Sequence, residues 1–478
     1  MIGRFILKMA AATAKHAPRG TGNVSAKAGG GVRVPAHERF VLNNGIKLIV
    51  VPRRDVPLVA FNAVLRGGSL SDAAAKPGVA SLLAGLLEKG AGKRDAFAFA
   101  DAVEGVGGSF HASASSESIS VRGTFLARDQ RLMLELLADA LLRPRFDREE
   151  LEALSARHIE MIKAAKDTDP SELISLYGRS FLFRSHPYGL PVIGSETSLA
   201  AITQQDVLDY YAANFGGERL TLVFAGDVDP AWLRRMVGKL FGGWKKVRTS
   251  MPRLIAAPRV ESRQVLLIDS PGAVQTHFWV GNVGVDRCYP RRAALDLVNT
   301  LYGGRFTSII NTELRIKSGL SYGARSGFSR GTVAGEFAIH SFAQAESTGK
   351  ALELTLRTLD LLKRDGVTAE MLESARAYVL GQYPLNFETA GDWAAALGEI
   401  ELYGLGPGYI DNYGPALRNV TLQDTRQVID EAFPSPDALA IVLVGDAAKI
   451  REQVAGYGAI TDMTLMHPAF GPAGRAHA

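Results

Sequence analysis

Cysteine is almost missing from this chain. Cys288 stands alone among 478 residues, so no internal disulfide can form and the fold must rest on its core. Long apolar runs are missing as well. No stretch reaches the roughly 18 consecutive apolar residues that a membrane span requires, so no span is expected. Acid is absent from the start of the chain. The first carboxylate is Glu38, and Arg4, Lys8, Lys15, Arg19, Lys27 and Arg33 precede it. Removing those six takes the basic count from 54 to 48, against 49 acidic residues. The body is therefore near neutral and lacks the basic excess of a nucleic-acid-binding face. Also absent are a His-x3-His pair, a cysteine cluster and a phosphate-binding loop, so autonomous catalysis by those routes is unsupported.

What remains is globular. Apolar residues make up 47% and charged residues 22%, and the length exceeds one ordinary core, so two or more domains are expected. Residues 1–35, basic and rich in glycine, read as a flexible tail. Lys8 interrupts the short apolar stretch from Phe5 to Ala14, so no clear signal peptide is present. A mitochondrial-type presequence also fits the lack of acid. The compartment stays open between a bacterial periplasm and cytoplasm.

An internal duplication organises the body. Leu220 to Gly226-Asp227 and Leu439 to Gly445-Asp446 are each a short apolar run closed by Gly-Asp and followed by a helical pattern. The run length suits a buried strand and Gly-Asp its exit turn. Gly226 and Gly445 lie 219 residues apart, nearly half the chain, which favours two related halves. Residues 245–263, with Pro252 and Pro258 and no helical period, read as the linker. The domains expected are thus 36–244 and 264–465, with a further tail at 466–478.

Local patterns mix strands and helices. Asn44-Gly45 between two apolar runs signals a type I′ hairpin. Ser118 to Leu126 alternates as a half-buried strand does. Leu132 to Leu142 is apolar nearly all round and suits a buried helix. Asp147 and Glu150 have capping-box spacing. Strand clusters followed by helix clusters point to an α+β layer in each half.

An ordered set of short motifs runs through the first half: Gly67-Gly68-Ser69, Pro77-Gly-Val-Ala80, Val106-Gly-Gly108, Leu136 to Asp139 with Pro144 to Phe146, His186-Pro-Tyr-Gly189 with Gly194, then Gly226-Asp227. In this order and spacing the chain resembles the insulinase/pitrilysin family of zinc metallopeptidases, in its processing-peptidase-like branch. The second half continues the resemblance to about residue 448. The fold implied is two homologous α+β domains, each a mainly antiparallel sheet packed with helices, together forming half of a clam-shell.

Active members of that family carry His-x-x-Glu-His on a helix, which sets two zinc ligands four residues apart on one face and a glutamate to polarise water. The matching positions here are Ser81, Ala84 and Gly85. The family's third ligand, a glutamate about 77 residues later, falls on Ile162. Glu160 is rotated to the wrong face. No metal is expected on this chain. The family's substrate-binding asparagine falls on His111. His111, His158 and His186 each also read as surface or hydrogen-bonded residues, and His186 as structural.

The second half keeps what the first has lost. Leu314-Arg315-Ile-Lys-Ser-Gly319-Leu-Ser-Tyr322 matches the family segment whose arginine and tyrosine reach across the chamber to the substrate carbonyl. The resemblance implies that Arg315 and Tyr322 donate to the developing oxyanion, with Gly319 letting the chain turn between them. Taken alone, Arg315 reads better as one end of a surface ion pair and Tyr322 as core packing; the functional reading comes from the motif. The expected role is the non-metal-binding subunit of a heterodimeric peptidase. Its partner would be a homologous subunit bearing zinc on His-x-x-Glu-His, and its substrates peptides. The alternatives are a catalytically silent scaffold and a peptide-binding regulatory homodimer.

Overall fold

The computed structural model describes residues 31–406 and 408–472. The expectation of a flexible tail before residue 31, and that for 473–478, lie outside the described residues. The first half contributes β1 (Glu38–Val41), β2 (Lys47–Pro52), β3 (Leu58–Arg66), β4 (Ser109–Ala114), β5 (Ser118–Leu126) and β6 (Leu220–Gly226) to one sheet in the order β1-β2-β6-β3-β5-β4. The second contributes β7 (Gln264–Asp269), β8 (Gln275–Val283), β9 (Ala324–Phe328), β10 (Glu336–Gln344), β11 (Ala440–Gly445) and β12 (Ala459–Thr464) in the order β12-β7-β11-β8-β10-β9. The outermost strands β1 and β12 aside, the two connectivities are identical. β2 runs parallel to β6, β7 parallel to β11, and the remaining shared pairs are antiparallel. The outer strands differ: β1 is antiparallel to β2, while β12 is parallel to β7.

Register makes the correspondence residue-specific. Val223 lies between Ile49 and Asn62, and Val442 between Leu266 and Trp279. Three residues on, Gly226 stands opposite Pro52 and Gly445 opposite Asp269. Across the ladder Asn62 faces Arg122 and Arg122 faces His111, while Trp279 faces His340 and His340 faces Arg325. Thus Asn62 corresponds to Trp279, Arg122 to His340, and His111 to Arg325. β6 and β11 are buried at every position, as central strands covered on both faces must be.

Each half supplies the cover for the other's sheet. The Ile174–Phe183 helix of the first half lies on β8 and β11, and the Ala390–Tyr403 helix of the second lies on β3 and β6. Close approach depends on a glycine in each helix. A Cβ on Gly178 would stand 2.5 Å from the Trp279 ring, and one on Gly398 would stand 2.6 Å from Asn62 Nδ2. These glycines touch the two corresponding strand residues, so the exchange is reciprocal. On the opposite face of the first sheet, the Gln130–Leu142 helix buries Met133, Leu134, Leu136, Leu137 and Leu141 in the core.

Several local expectations need correction. The β1–β2 connection is not type I′. Asn44 does not adopt positive φ, only Gly45 does (+92°), and Gly45 N bonds Leu42 O at 2.9 Å while Leu42 N bonds Ile46 O at 2.9 Å. This is a tight turn closed by a left-handed glycine. Asn44 instead spends its side-chain amide on the carbonyls of Phe241 and Trp244, at 2.8 and 3.0 Å. Asp147 does precede the Arg148–Thr168 helix but caps nothing with its side chain. Its carboxylate accepts from Arg145 Nε at 2.7 Å.

Within residues 466–472 two contacts reach the first half. Phe470 is buried edge-on against Tyr177, at 5.1 Å between ring centroids. The His467 carbonyl accepts from Lys166 Nζ at 2.7 Å. Between Phe241 and Gln264 no helix or strand forms.

Candidate functional site

The Val79–Leu86 helix carries the three positions where the family pattern places metal chemistry. It starts after Gly78, which has φ +108°. Asp72, six residues upstream, caps it from a distance by accepting from Gly78 N at 2.8 Å and Ala80 N at 2.9 Å. Burial pushes the Asp72 carboxyl up to about 7, against the pull of those two N–H groups. On this helix Ser81 is half-buried, Ala84 belongs to the core and Gly85 is half-buried. The space beside Gly85 is filled: a Cβ there would meet Leu154 Cδ2 at 2.7 Å. Ile162, two turns beyond Leu154, is buried in the same core. Glu160 is exposed and pairs with Lys163 at 2.9 Å.

These residues do not fit a zinc ion. One hydroxyl, a methyl and a hydrogen offer no ligand set for a metal that takes thiolate, imidazole or carboxylate. Among the described residues no group of three or more His, Cys, Asp and Glu could hold a metal.

His111 sits on the edge strand β4, exposed, with Nδ1 3.0 Å from Glu88 Oε1. The same carboxylate accepts from Ala112 N. Burial raises the Glu88 carboxyl above its usual range, opposed by the Ala112 N–H and by His111. Glu88 has no sequence signal of its own; it becomes visible only because the chain returns in β4 beside the helix end. His186 is a structural residue: Nδ1 accepts from Tyr188 N at 3.2 Å and Nε2 meets the Ile255 carbonyl at 3.0 Å. His158 differs from expectation. It is half-buried, and its Nδ1 has no partner among the described residues.

Arg315 and Tyr322 lie on a segment fixed by its buried members. Thr312–Lys317 forms a wide helical turn of the π type, with Ser318 N bonded to Glu313 O at 3.1 Å. Such wide turns recur at functional sites. Leu314 is fully buried below it. Gly319 turns the chain at φ +65°, and Ser321 N returns to Leu314 O at 3.1 Å. Ser321 is buried and in contact with Ser341 Oγ at 3.0 Å, while Ala324 N bonds Asn311 Oδ1 at 3.1 Å.

The residues between these anchors face outward. Tyr322 is 80% exposed, so it is not core packing. Arg315 is exposed and joins no ion pair among the described residues. Its guanidinium stands over the Phe306 ring, 4.9 Å from the centroid, and Phe306 is itself exposed. Phe306 lay outside any motif and was not anticipated. No hydrogen bond or ion pair joins this segment to the Ser81–Gly85 helix among the described residues.

Paired α+β halves, one with Ser81, Ala84 and Gly85 on its Val79–Leu86 helix and one presenting an exposed arginine and tyrosine, make up this chain. Comparison with known proteins supplies its family. Residues 52–196 match the family "Insulinase (Peptidase family M16)" and residues 201–379 match "Peptidase M16 inactive domain". The chain belongs to peptidase family M16.

It is similar to an uncharacterized zinc protease of Mycobacterium tuberculosis, 28% identical over 77% of this chain and 84% of that protein. It is also similar to one of Bacillus subtilis, 23% identical over 85% of this chain and 98% of that protein. Among solved structures, a peptidase M16 inactive domain from Pseudomonas fluorescens superposes with a TM-score of 0.80 at 23% identity, covering 86% of this chain and 98% of that one. A protease from Helicobacter pylori superposes at 0.78 and 20% identity, covering 86% and 99%. At these identities the two structures establish the fold.

Proposed function

We propose that this chain is the non-metal-binding subunit of a heterodimeric metallopeptidase. A homologous partner bearing His-x-x-Glu-His would hold the zinc, and this chain would supply Arg315 and Tyr322 to the substrate carbonyl. The observation that carries the reading is a contrast of surfaces. The metal helix is closed by Leu154 over Gly85, whereas Arg315 and Tyr322 are held outward on an anchored segment with no acidic partner among the described residues. Peptide hydrolysis builds negative charge on the carbonyl oxygen. A guanidinium that stays charged and a neutral phenol O–H are suitable donors for it. The domain boundaries at 244 and 264, the role of His111 in binding the substrate strand, and that of Gly319 in spacing the pair belong to the same proposal.

The test is a complex co-purified with the zinc-bearing partner. Arg315→Ala should lower kcat by about 10²–10³, the usual loss for one oxyanion donor. Tyr322→Phe removes a hydroxyl and keeps the ring. Both variants should assemble normally and leave zinc content unchanged, and their losses should be less than additive if they hold one oxygen. Near-normal hydrolysis by the doubly substituted complex would replace this reading with the silent scaffold.

A further inference from the structure

Beside Phe306 opens a cleft of about 620 Å³, within the usual range for ligand sites. Its floor is the face of β8, β10 and β9 that the Ile174–Phe183 helix leaves uncovered, and Ser171 and Ile174 of the first half close one side. Arg305, Arg325, His277 and His340 line it together with the aromatic rings of Phe306, Phe342 and Tyr378, and no lining residue is Asp or Glu. Arg325 is exposed and forms no ion pair among the described residues. Arg305 donates from Nη1 to Ser374 Oγ at 3.0 Å, but its buried Nε has no acceptor among the described residues.

The fold does not require this charge. The corresponding cleft of the first half, on β3, β5 and β4, is lined by Arg122 together with Asp392, Glu399 and several serines. There one arginine shares the lining with two acids, of which Glu399 pairs with Arg287. Here two arginines share the lining with none. In corresponding positions, His111 has a carboxylate partner in Glu88, and Arg325 has none among the described residues. The two histidines add donors and not charge near neutral pH. Burial, with Arg325 alongside, holds His340 down to about 4, and burial lowers His277 against the pull of Asp169.

We infer that this cleft binds the free C-terminal carboxylate of a peptide whose last side chain is apolar or aromatic. An unpaired guanidinium in an apolar, partly enclosed cleft favours a carboxylate through charge-assisted hydrogen bonds, and the three rings supply the surface for the terminal side chain. Phe306 is shared between the cleft and the Arg315 guanidinium, so a peptide anchored here continues toward Arg315. That direction rests on the subunit proposal; the binding does not. On the combined reading, the site would select peptides by a free end lying a short distance beyond the scissile bond.

The experiment uses the full chain alone and three octapeptides, labelled with fluorescein at the N-terminus and followed by anisotropy. One is neutral and ends in Phe with a free carboxylate. The second is its C-terminal amide. The third is an amide ending in Glu, which carries the charge on a side chain. The free acid should bind at least tenfold more tightly than either amide. Arg325→Gln, with an unchanged melting temperature, should bring the acid down to the amide's affinity. Equal binding of acid and amide, or no saturable binding of the acid, overturns the inference. Equal binding of the Glu amide and the acid overturns the C-terminal assignment and leaves an acidic-side-chain site. Because no partner is present, failure here is separate from failure of the catalytic pair in the complex.

Discussion

Val223 and Val442 occupy the same place in two sheets of the same shared connectivity, yet their surroundings diverge wherever chemistry is expected. In the first half the helix after β3 presents Ser81, Ala84 and Gly85, with Leu154 packed against Gly85. In the second, the segment before β9 keeps an arginine and a tyrosine outward on buried anchors. The difference teaches that the sheet framework and the chemistry are separable. Register, cover helix and central strand are common to both halves, while charge, cavity lining and helix capping are not. Four experiments would break or sharpen that comparison.

The largest expected effect concerns the helix ends. Asp72 caps the Val79–Leu86 helix in the first half, while the Arg292–Asn299 helix in the second has no side-chain cap. The Asp72 carboxyl titrates near 7 in the fold against an ordinary 3.8. A raised folded value means stability that is full below about pH 4 and is lost as pH rises through 7. At about 1.4 kcal/mol per unit, the shift corresponds to roughly 4 kcal/mol over that window. Melting temperature should therefore fall from pH 4 to 7 in the native chain and stay flatter in Asp72→Asn. A native chain that gains stability over this range, relative to the variant, would mean that the helix N–H groups outweigh burial.

Next comes the reciprocal cover. Gly178→Ala drives a methyl to 2.5 Å from the fully buried Trp279 ring, whereas Gly398→Ala meets the amide end of Asn62 at 2.6 Å and Val64 Cγ2 at 3.0 Å. A ring wedged between sheet and helix cannot turn aside, and an amide end can. Overpacking costs about 1–3 kcal/mol, offset by up to about 1 kcal/mol of helix propensity. Urea titration should place Gly178→Ala near 2 kcal/mol destabilised and Gly398→Ala below 1. Equal costs would show the two covers to be equivalent in packing as well as in topology.

The degenerate metal helix gives the third. Gly85→Ala places its methyl 2.7 Å from Leu154 Cδ2, the mobile end of a leucine, so a loss of about 1 kcal/mol is expected. The native chain should carry no stoichiometric zinc. Ser81→His, Ala84→Glu and Gly85→His together should not restore it while Leu154 fills the space and Ile162 supplies no third ligand. Elemental analysis after dialysis decides this; one tightly held ion per native chain would contradict the reading of this helix.

Much of the framework was legible because it is written in local patterns. The apolar runs ending at Gly226 and Gly445 are central strands buried on both faces, and Ser118–Leu126 alternates along a sheet with one covered face. The turn at Asn44 was misread because the Asn-Gly pair is compatible with more than one turn, and the Asn44 amide is held by Phe241 and Trp244, which are 197 and 200 residues away. Gly178 and Gly398 gave no signal at all: each is an ordinary helical glycine until the partner half lies on it. Phe306, Glu88 and Leu154 were missed for the same reason, since their roles exist only through contacts made across the fold.

The smallest effect lies on the edge strand, where His111 and Arg325 correspond. His111 shares Glu88 with the Ala112 N–H, but its side chain is 73% exposed and that of Glu88 29%. An exposed pair of this kind contributes about 0–1 kcal/mol, so His111→Ala should leave the melting temperature almost unchanged. Glu88→Gln keeps an acceptor for Ala112 N and removes the charge. Because burial raises the Glu88 carboxyl, its ionisation costs stability as pH climbs above the usual carboxylate range. The variant should therefore gain slightly on the native chain between about pH 4 and 7. The decisive reading is in the heterodimer with its zinc-bearing partner. If β4 binds the substrate strand as proposed, His111→Ala should raise KM while kcat holds. Arg315→Ala should instead lower kcat. A fall in kcat from His111→Ala as large as that from Arg315→Ala would erase the division of labour between the two halves.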